Sequence, residues 1–322
     1  AWTTSSGTES MPWASAAWLR AVAMTAASSP ALRTVPHGHW MLWPTGSSFT
    51  CAILVGSDDW EVEGEPSGDV GGTAVRVHLT GGLRVEGPTG AFTGADLPGP
   101  QGRVALAVLV LERGPVSHDR LAELLWDGAP PAKWKGALAA VVSKVRACLT
   151  EVGLEGSTVL ASDGGAYEVR LPGDAWVDME DALRRLDRAE GSLRRGDQAA
   201  ALPDATVASS VLCRSLLAGL WSDWIVYQRG RLEEARHRCS AVLARAWLER
   251  GDPGQAAIHA EAMVTIDPLR EVGHRLLMEA EWARGDRAAA LRALQRCETV
   301  LTEELGVDPS PETLTLAAAV RA

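Results

Sequence analysis

Val75, Val77 and Leu79 alternate with more polar neighbours, Gly81-Gly82 breaks the run, and Leu83 and Val85 resume it. Period-two alternation on both sides of a glycine pair predicts a β-hairpin. Beyond it the period lengthens. Pro100 stands where a helix tolerates proline, in the first turn. Leu106, Leu109 and Val110 then give that helix one apolar side, and Gly114-Pro115 ends it. Ser117 is placed to cap a second helix, whose apolar residues Leu121, Leu124 and Leu125 run to Trp126. A short turn containing Gly128 follows, and Pro130-Pro131 precedes a third helix ending near Thr150. After Gly153, Val159 and Tyr167 to Leu171 read as two strands around the tight turn Asp163-Gly164-Gly165. Strands, three helices and a hairpin in that order describe a winged helix, with helices two and three as its helix-turn-helix.

From residue 177 the pattern is helical almost throughout, and it repeats. Arg195-Gly196-Asp197, Arg250-Gly251-Asp252 and Arg284-Gly285-Asp286 share one tripeptide, and the last two copies lie 34 residues apart. That is the period of tetratricopeptide repeats. The tripeptide is also a cell-adhesion signal, but a local reason suffices for it. Glycine supplies the left-handed end of one helix, and aspartate caps the next. Such helix pairs cannot bury their apolar faces singly, so they are expected to stack into a right-handed solenoid with a concave surface for a partner.

The first 73 residues follow neither pattern. They hold six of the thirteen tryptophans, no lysine, and much Ser, Thr, Gly and Pro. The apolar run from Trp13 to Ala27 is interrupted by Arg20 and lacks the charged start and cleavage site of a secretory signal. Residues 1–73 are therefore read as a poorly ordered or atypical N-terminal extension. No run of apolar residues is long enough to span a membrane. Five cysteines, dispersed and odd in number, suit neither a disulfide framework nor a cysteine-rich zinc site, and point to a reducing cytoplasm.

Net charge is −10, which argues at first against a nucleic-acid partner. Its distribution argues differently. Residues 1–73 carry two basic and seven acidic residues, and 174–322 carry nineteen and 24, whereas 74–173 carry ten of each. The chain has only three lysines, Lys133, Lys135 and Lys144, all on the third helix of the winged helix. At 3.6 residues per turn, Trp134, Leu138, Val141, Val142, Val145 and Leu149 fall on its buried side. Gly136, Ala140, Ser143 and Ala147 fall opposite. Lys133 and Lys144 edge this small-residue strip, and Arg146 and Lys135 lie nearer the boundary with the core.

A small-residue ridge lets a helix approach base edges in a major groove, and flanking cations meet phosphates on either side. Ser143 and Arg146 are the candidates for base edges, and Lys133, Lys135 and Lys144 for phosphates. Arg170, at the base of the hairpin, is a candidate for the adjacent minor groove or backbone. The double-stranded DNA that this arrangement would bind is the principal partner expected.

Catalytic chemistry finds no support. There is no Gly-x-x-x-x-Gly-Lys-Ser/Thr phosphate loop. Ser117-His118-Asp119 has the residue types of a triad, but three consecutive residues at a helix start cannot orient one another. His37-Gly38-His39 lacks a third metal ligand. Neither an enzymatic role nor a metal or other cofactor is expected.

These stations together resemble the SARP-type bacterial transcriptional regulators, which join an OmpR-type winged helix to a bacterial transcriptional activation domain. The resemblance runs over about residues 75–316. It is carried by Leu97-Pro98-Gly99-Pro100-Gln101-Gly102-Arg103, Val116 to Leu121, Leu124-Leu125-Trp126 and Val142-Ser143-Lys144-Val145-Arg146. It continues through Gly165-Ala166-Tyr167-Glu168-Val169 and Val177-Asp178, and closes on Glu304-Leu305-Gly306-Val307-Asp308-Pro309-Ser310-Pro311-Glu312. It implies an activator that binds promoter direct repeats, self-associates there head to tail and contacts RNA polymerase. By position, Ser143, Lys144 and Arg146 correspond to the Ser-Arg-Leu-Arg-like stretch of the recognition helix, and Arg103 to a basic residue at the start of the first helix, near the backbone. Gln101, Gly136, Ala139, Ala140 and Ala147 replace residues that are larger, more polar or cationic in the family. Fewer cations imply weaker and less salt-dependent binding.

The expected fold is mainly α with a small β component. A winged helix-turn-helix domain (74–173) is followed by an all-α TPR-like helical repeat domain (174–322). A repeat scaffold whose winged helix no longer binds DNA is the alternative reading.

Overall fold

The computed structural model describes residues 75–322 and, before them, two short strands. These strands, β1 (Pro44–Thr45) and β2 (Ser48–Phe49), pair antiparallel within a unit of their own, Ala1–Glu65. The expectations for an N-terminal extension, for His37 and His39, and for the tryptophans of residues 1–73 lie outside the described residues.

The second unit opens with β3 (Arg76–His78), β4 (Arg84–Gly87) and β5 (Gly90–Thr93). Gly81, at φ 78°, turns β3 into β4, in register Val77↔Val85. The third strand, β5, was not foreseen. It pairs Gly87↔Gly90 with β4, and a side chain on Gly87 would collide with the backbone carbonyl of Val152. Only glycine permits that close approach.

Helices α1 (Gly99–Glu112), α2 (His118–Leu125) and α3 (Trp134–Glu151) follow, then the single turn α4 (Gly156–Val159). Ser117 caps α2 as its sequence position requires, its hydroxyl accepting from the Arg120 N–H at 3.2 Å. For α1 the expectation of one apolar side is corrected. Every residue from Val104 to Val110 is buried, because α1 runs through the middle of the winged helix against α2, α3 and the wing. A helix covered on all sides needs apolar residues on all sides.

The wing is a three-stranded sheet in which β8 (Ala166–Val169) lies between β6 (Val116–Ser117) and β7 (Leu160–Asp163). Gly164 and Gly165, at φ 56° and 83°, form its two-residue turn.

After the wing, β9 (Trp176–Val177) returns to the first sheet and pairs parallel with β3, Val77↔Val177. Seven helices follow: α5 (Asp178–Arg194), α6 (Gln198–Leu212), α7 (Asp223–Glu249), α8 (Pro253–Ile266), α9 (Glu271–Ala283), α10 (Arg287–Leu305) and α11 (Pro311–Arg321). Helices α5 to α10 pack chiefly on their sequence neighbours, as stacked helical repeats do, and α11 packs on both α9 and α10.

The three Arg-Gly-Asp turns join α5 to α6, α7 to α8 and α9 to α10. Gly196, Gly251 and Gly285 are left-handed at φ 73°, 83° and 82°. Asp197, Asp252 and Asp286 each accept a first-turn N–H, at 3.0, 3.1 and 2.8 Å. Both halves of the local explanation hold.

The winged helix and the first helices share one core. A continuous buried cluster runs from Val75 to Ala246, and a second spans α7 to α11. Arg113 pairs with Glu180, the Trp224 indole N–H donates to Glu112 at 3.2 Å, and the Gly81 N–H donates to the Ser215 carbonyl at 2.9 Å. The fold is mainly α, a winged helix-turn-helix followed by TPR-like helices.

Candidate nucleic-acid interface

Helix α3 is held by Leu138, Val142, Val145 and Leu149, each at most 1 % exposed, with Trp134 and Val141 half-buried against the same core. Fixing that side leaves the other facing outward. Gly136, Ala139, Ala140, Ser143 and Ala147 are all exposed, so nothing in the described residues covers the small-residue ridge. Gly136 has open space around it.

Lys133, Lys135 and Lys144 are exposed on the same helix. None of the three ammonium groups has an acidic partner among the described residues. Lys135 lies 5.5 Å over the Trp134 ring, which fixes its stem at the helix start. Most arginines elsewhere are engaged: Arg184, Arg185, Arg188, Arg238, Arg270 and Arg296 all sit in carboxylate pairs on the helical repeats. A winged helix of zero formal charge therefore still presents three unneutralised cations along α3, charges of the kind a phosphate backbone meets.

Arg146 is placed differently from expectation. Its Nε donates to the Leu160 carbonyl at 2.9 Å, and its guanidinium lies 5.9 Å from the centre of the Tyr167 ring. The other face of the cluster is His118, stacked on Tyr167 at 4.3 Å, with its own backbone N–H on the Gly165 carbonyl at 2.9 Å. A chain of contacts thus runs from α2 through the wing to α3. Arg146 spends part of its donor fork inside the protein, so it sets the wing against α3. Tyr167 and His118 were not read as site residues; Tyr167 carried a signal as the one aromatic of the hairpin.

Arg170 is exposed and paired with Glu168 two residues earlier at 2.6 Å, so reaching a phosphate requires leaving that carboxylate. Arg120, exposed in the first turn of α2 and 3.4 Å from Glu123, is a further cation that the sequence reading passed over.

Arg103 falls elsewhere. Its stem packs on Gly94, and it lines a groove formed by the β3–β5 side of the first sheet, the start of α1 and residues 217–220. No residue of α3 lines that groove, so Arg103 is not brought together with the three lysines. No group of three or more His, Cys, Asp or Glu arranged for a metal occurs among the described residues. Nor is any described helix long and apolar enough to cross a membrane.

Residues 177–321 match the bacterial transcriptional activator domain family. The regulatory protein AfsR of Streptomyces griseus is 30 % identical over 232 residues, covering 71 % of this chain and 23 % of AfsR. The chain thus spans less than a quarter of that relative's length. The transcriptional regulatory protein MoaR1 of Mycobacterium tuberculosis is 25 % identical over 242 residues, 74 % of this chain and 76 % of MoaR1. Among solved structures, EmbR of Mycobacterium tuberculosis in complex with a low-affinity phosphopeptide superposes with a TM-score of 0.70 at 23 % identity, over 78 % of this chain and 65 % of EmbR. That likeness supports the fold alone.

Proposed function

We propose that this chain, a member of the SARP-type bacterial transcriptional regulators with a winged helix joined to a bacterial transcriptional activator domain, is a sequence-specific activator that binds promoter direct repeats through α3. The observation that carries this reading is the uncovered ridge of Gly136, Ala139, Ala140, Ser143 and Ala147, edged by Lys133 and Lys144, with Lys135 exposed on the same helix and none of the three paired with an acid. A ridge of this kind lets the helix backbone lie deep in a major groove.

In this reading residues 74–173 hold the DNA and 174–322 form the regulatory and protein-binding part. Ser143 faces base edges, Lys133, Lys135 and Lys144 hold phosphates, and Arg146 and Arg170 bring the wing to the neighbouring backbone. Two copies on a direct repeat lie head to tail, and RNA polymerase is the partner recruited. The role is regulatory rather than enzymatic, and its place is the cytoplasm.

The test is selection of bound fragments from genomic DNA with the full chain, followed by the Ala140→Glu variant. Fragments sharing a motif repeated at about one helical turn, about 34–36 Å, are expected. Ala140→Glu should abolish their capture while leaving thermal stability unchanged, because Ala140 is exposed. Wild-type protein that enriches no motif would leave the repeat-scaffold reading in its place.

A further inference from the structure

We propose that the groove at Arg103 is a binding site for a small amphipathic anion, a carboxylate or phosphate carried on a compact apolar body. The groove encloses about 590 Å³, within the size range of small-molecule sites. Leu83 and Leu97 line it from the winged helix, and Leu217 and Leu220 from the segment between α6 and α7. These four side chains make the apolar part of the wall.

The charged part is cationic. Arg103 opens into the groove, and its one internal hydrogen bond, from Nε to the Gly99 carbonyl, is long at 3.5 Å. Outside the groove, the stem of Arg214 packs over Gly81, its Cδ 3.4 Å from where a Cβ would stand. Neither guanidinium has a carboxylate partner among the described residues. Arg84, the third arginine here, is already matched by Glu86 at 2.7 Å. The unneutralised Arg103 guanidinium facing a partly apolar space favours one ligand class, an anion with a hydrophobic body.

The wall supplied by residues 217–220 is built, not incidental. Arg229 donates to the carbonyls of Leu216, Leu217 and Leu220 at 2.9 to 3.0 Å. That staple holds Leu217 at φ 45°, a left-handed conformation that a leucine avoids without support. The groove is thereby preformed, and a ligand need not order its wall.

The proposal is independent of the DNA reading and is tested without DNA. Phenylacetate and phenyl phosphate are titrated into the full chain by calorimetry, with 2-phenylethanol as the uncharged control. At least one anion should bind saturably, and the alcohol at least about tenfold more weakly, the loss expected when a charge-assisted hydrogen bond is missing. The carboxylate and phosphate arms tell which head group the site prefers. Arg103→Gln or Ala218→Glu should weaken the preferred anion by about tenfold or more, the first by removing the cation and the second by placing a like charge on the wall. Ala218 lines the groove and is exposed, so that variant folds even if Arg103→Gln does not. Absence of saturable binding by either anion, equal binding of the alcohol, or full affinity in both variants overturns the proposal.

Discussion

Thr80 and Asp178, 98 positions apart, are joined twice: the Thr80 N–H and its hydroxyl both donate to Asp178 Oδ2, at 2.9 and 2.8 Å. The Leu79 N–H reaches the same carboxylate at 3.0 Å and the Met179 N–H at 2.7 Å. Asp178 is fully buried and Thr80 nearly so. One side chain therefore satisfies the donors at the end of β3 and starts α5, tying the winged helix to the repeats. Asp178→Ala strands those donors away from water and should lower unfolding free energy by about 3 kcal/mol or more. Thr80→Val, which removes one of them, should cost about 1–2 kcal/mol. Urea denaturation of the full chain measures both, and Asp178→Ala unfolding at the wild-type midpoint would contradict the account.

Lys144 is exposed on α3 and has no internal partner, so its removal should act on DNA alone. Lys144→Ala is expected to weaken binding to any selected fragment uniformly and to reduce the slope of log affinity against log salt by about one. Ser143→Ala should instead alter sequence preference and leave that slope unchanged. Gel-shift titrations across a salt series separate the two, and an unaltered slope for Lys144→Ala would remove it from the phosphate contacts.

The Arg-Gly-Asp turns make a stability prediction that ignores their first residue. Gly251→Ala forces a Cβ into a left-handed position at φ 83°, with open space around it, so the cost is backbone strain alone, about 1 kcal/mol. Asp252→Ala removes the cap on the Gln255 N–H and should cost about 1 kcal/mol as well. The two sites adjoin in one turn, so the double variant tests whether the losses add. Thermal unfolding reads all three.

Burial pushes the His259 imidazole down to about 4 from its ordinary 6.5. His237 and His274 are lowered too, by burial first, with Arg270 adding to it at His237. A histidine kept neutral by the fold binds fewer protons than in the unfolded chain. Its contribution is therefore intact above about pH 6.5 and is lost as pH falls toward about 4. His259→Gln should flatten the decline in stability between pH 6.5 and 4 relative to wild type. Denaturation midpoints across that range give the comparison, and parallel curves would refute it.

The exposed face of α3 was legible in the sequence because one periodicity governed it. The apolar residues of α3 fixed which side was buried, and burial of Leu138, Val142, Val145 and Leu149 left the small ridge outside. The wing was readable because two consecutive glycines demand a left-handed turn. Arg146 was legible only in part: its helical position says which way it leaves α3, not that the Leu160 carbonyl and Tyr167 ring wait there. Those partners come from the wing, 14 or more residues along the chain.

The sequence by itself determined the elements whose causes are local. Caps, glycine turns, the 3.6-residue stripe and the 34-residue period act within a few turns of chain, so they are written where they operate. Only tertiary structure decided what depends on distant approach: that α1 is covered on every side, that β9 returns to β3, that Asp178 receives the donors of Leu79 and Thr80. It also decided that Arg103 lines a groove with residues 217–220 instead of sharing a face with the lysines. A linear pattern records which residues must be hidden or turned, whereas the identity of what hides them is settled by packing between segments far apart in sequence.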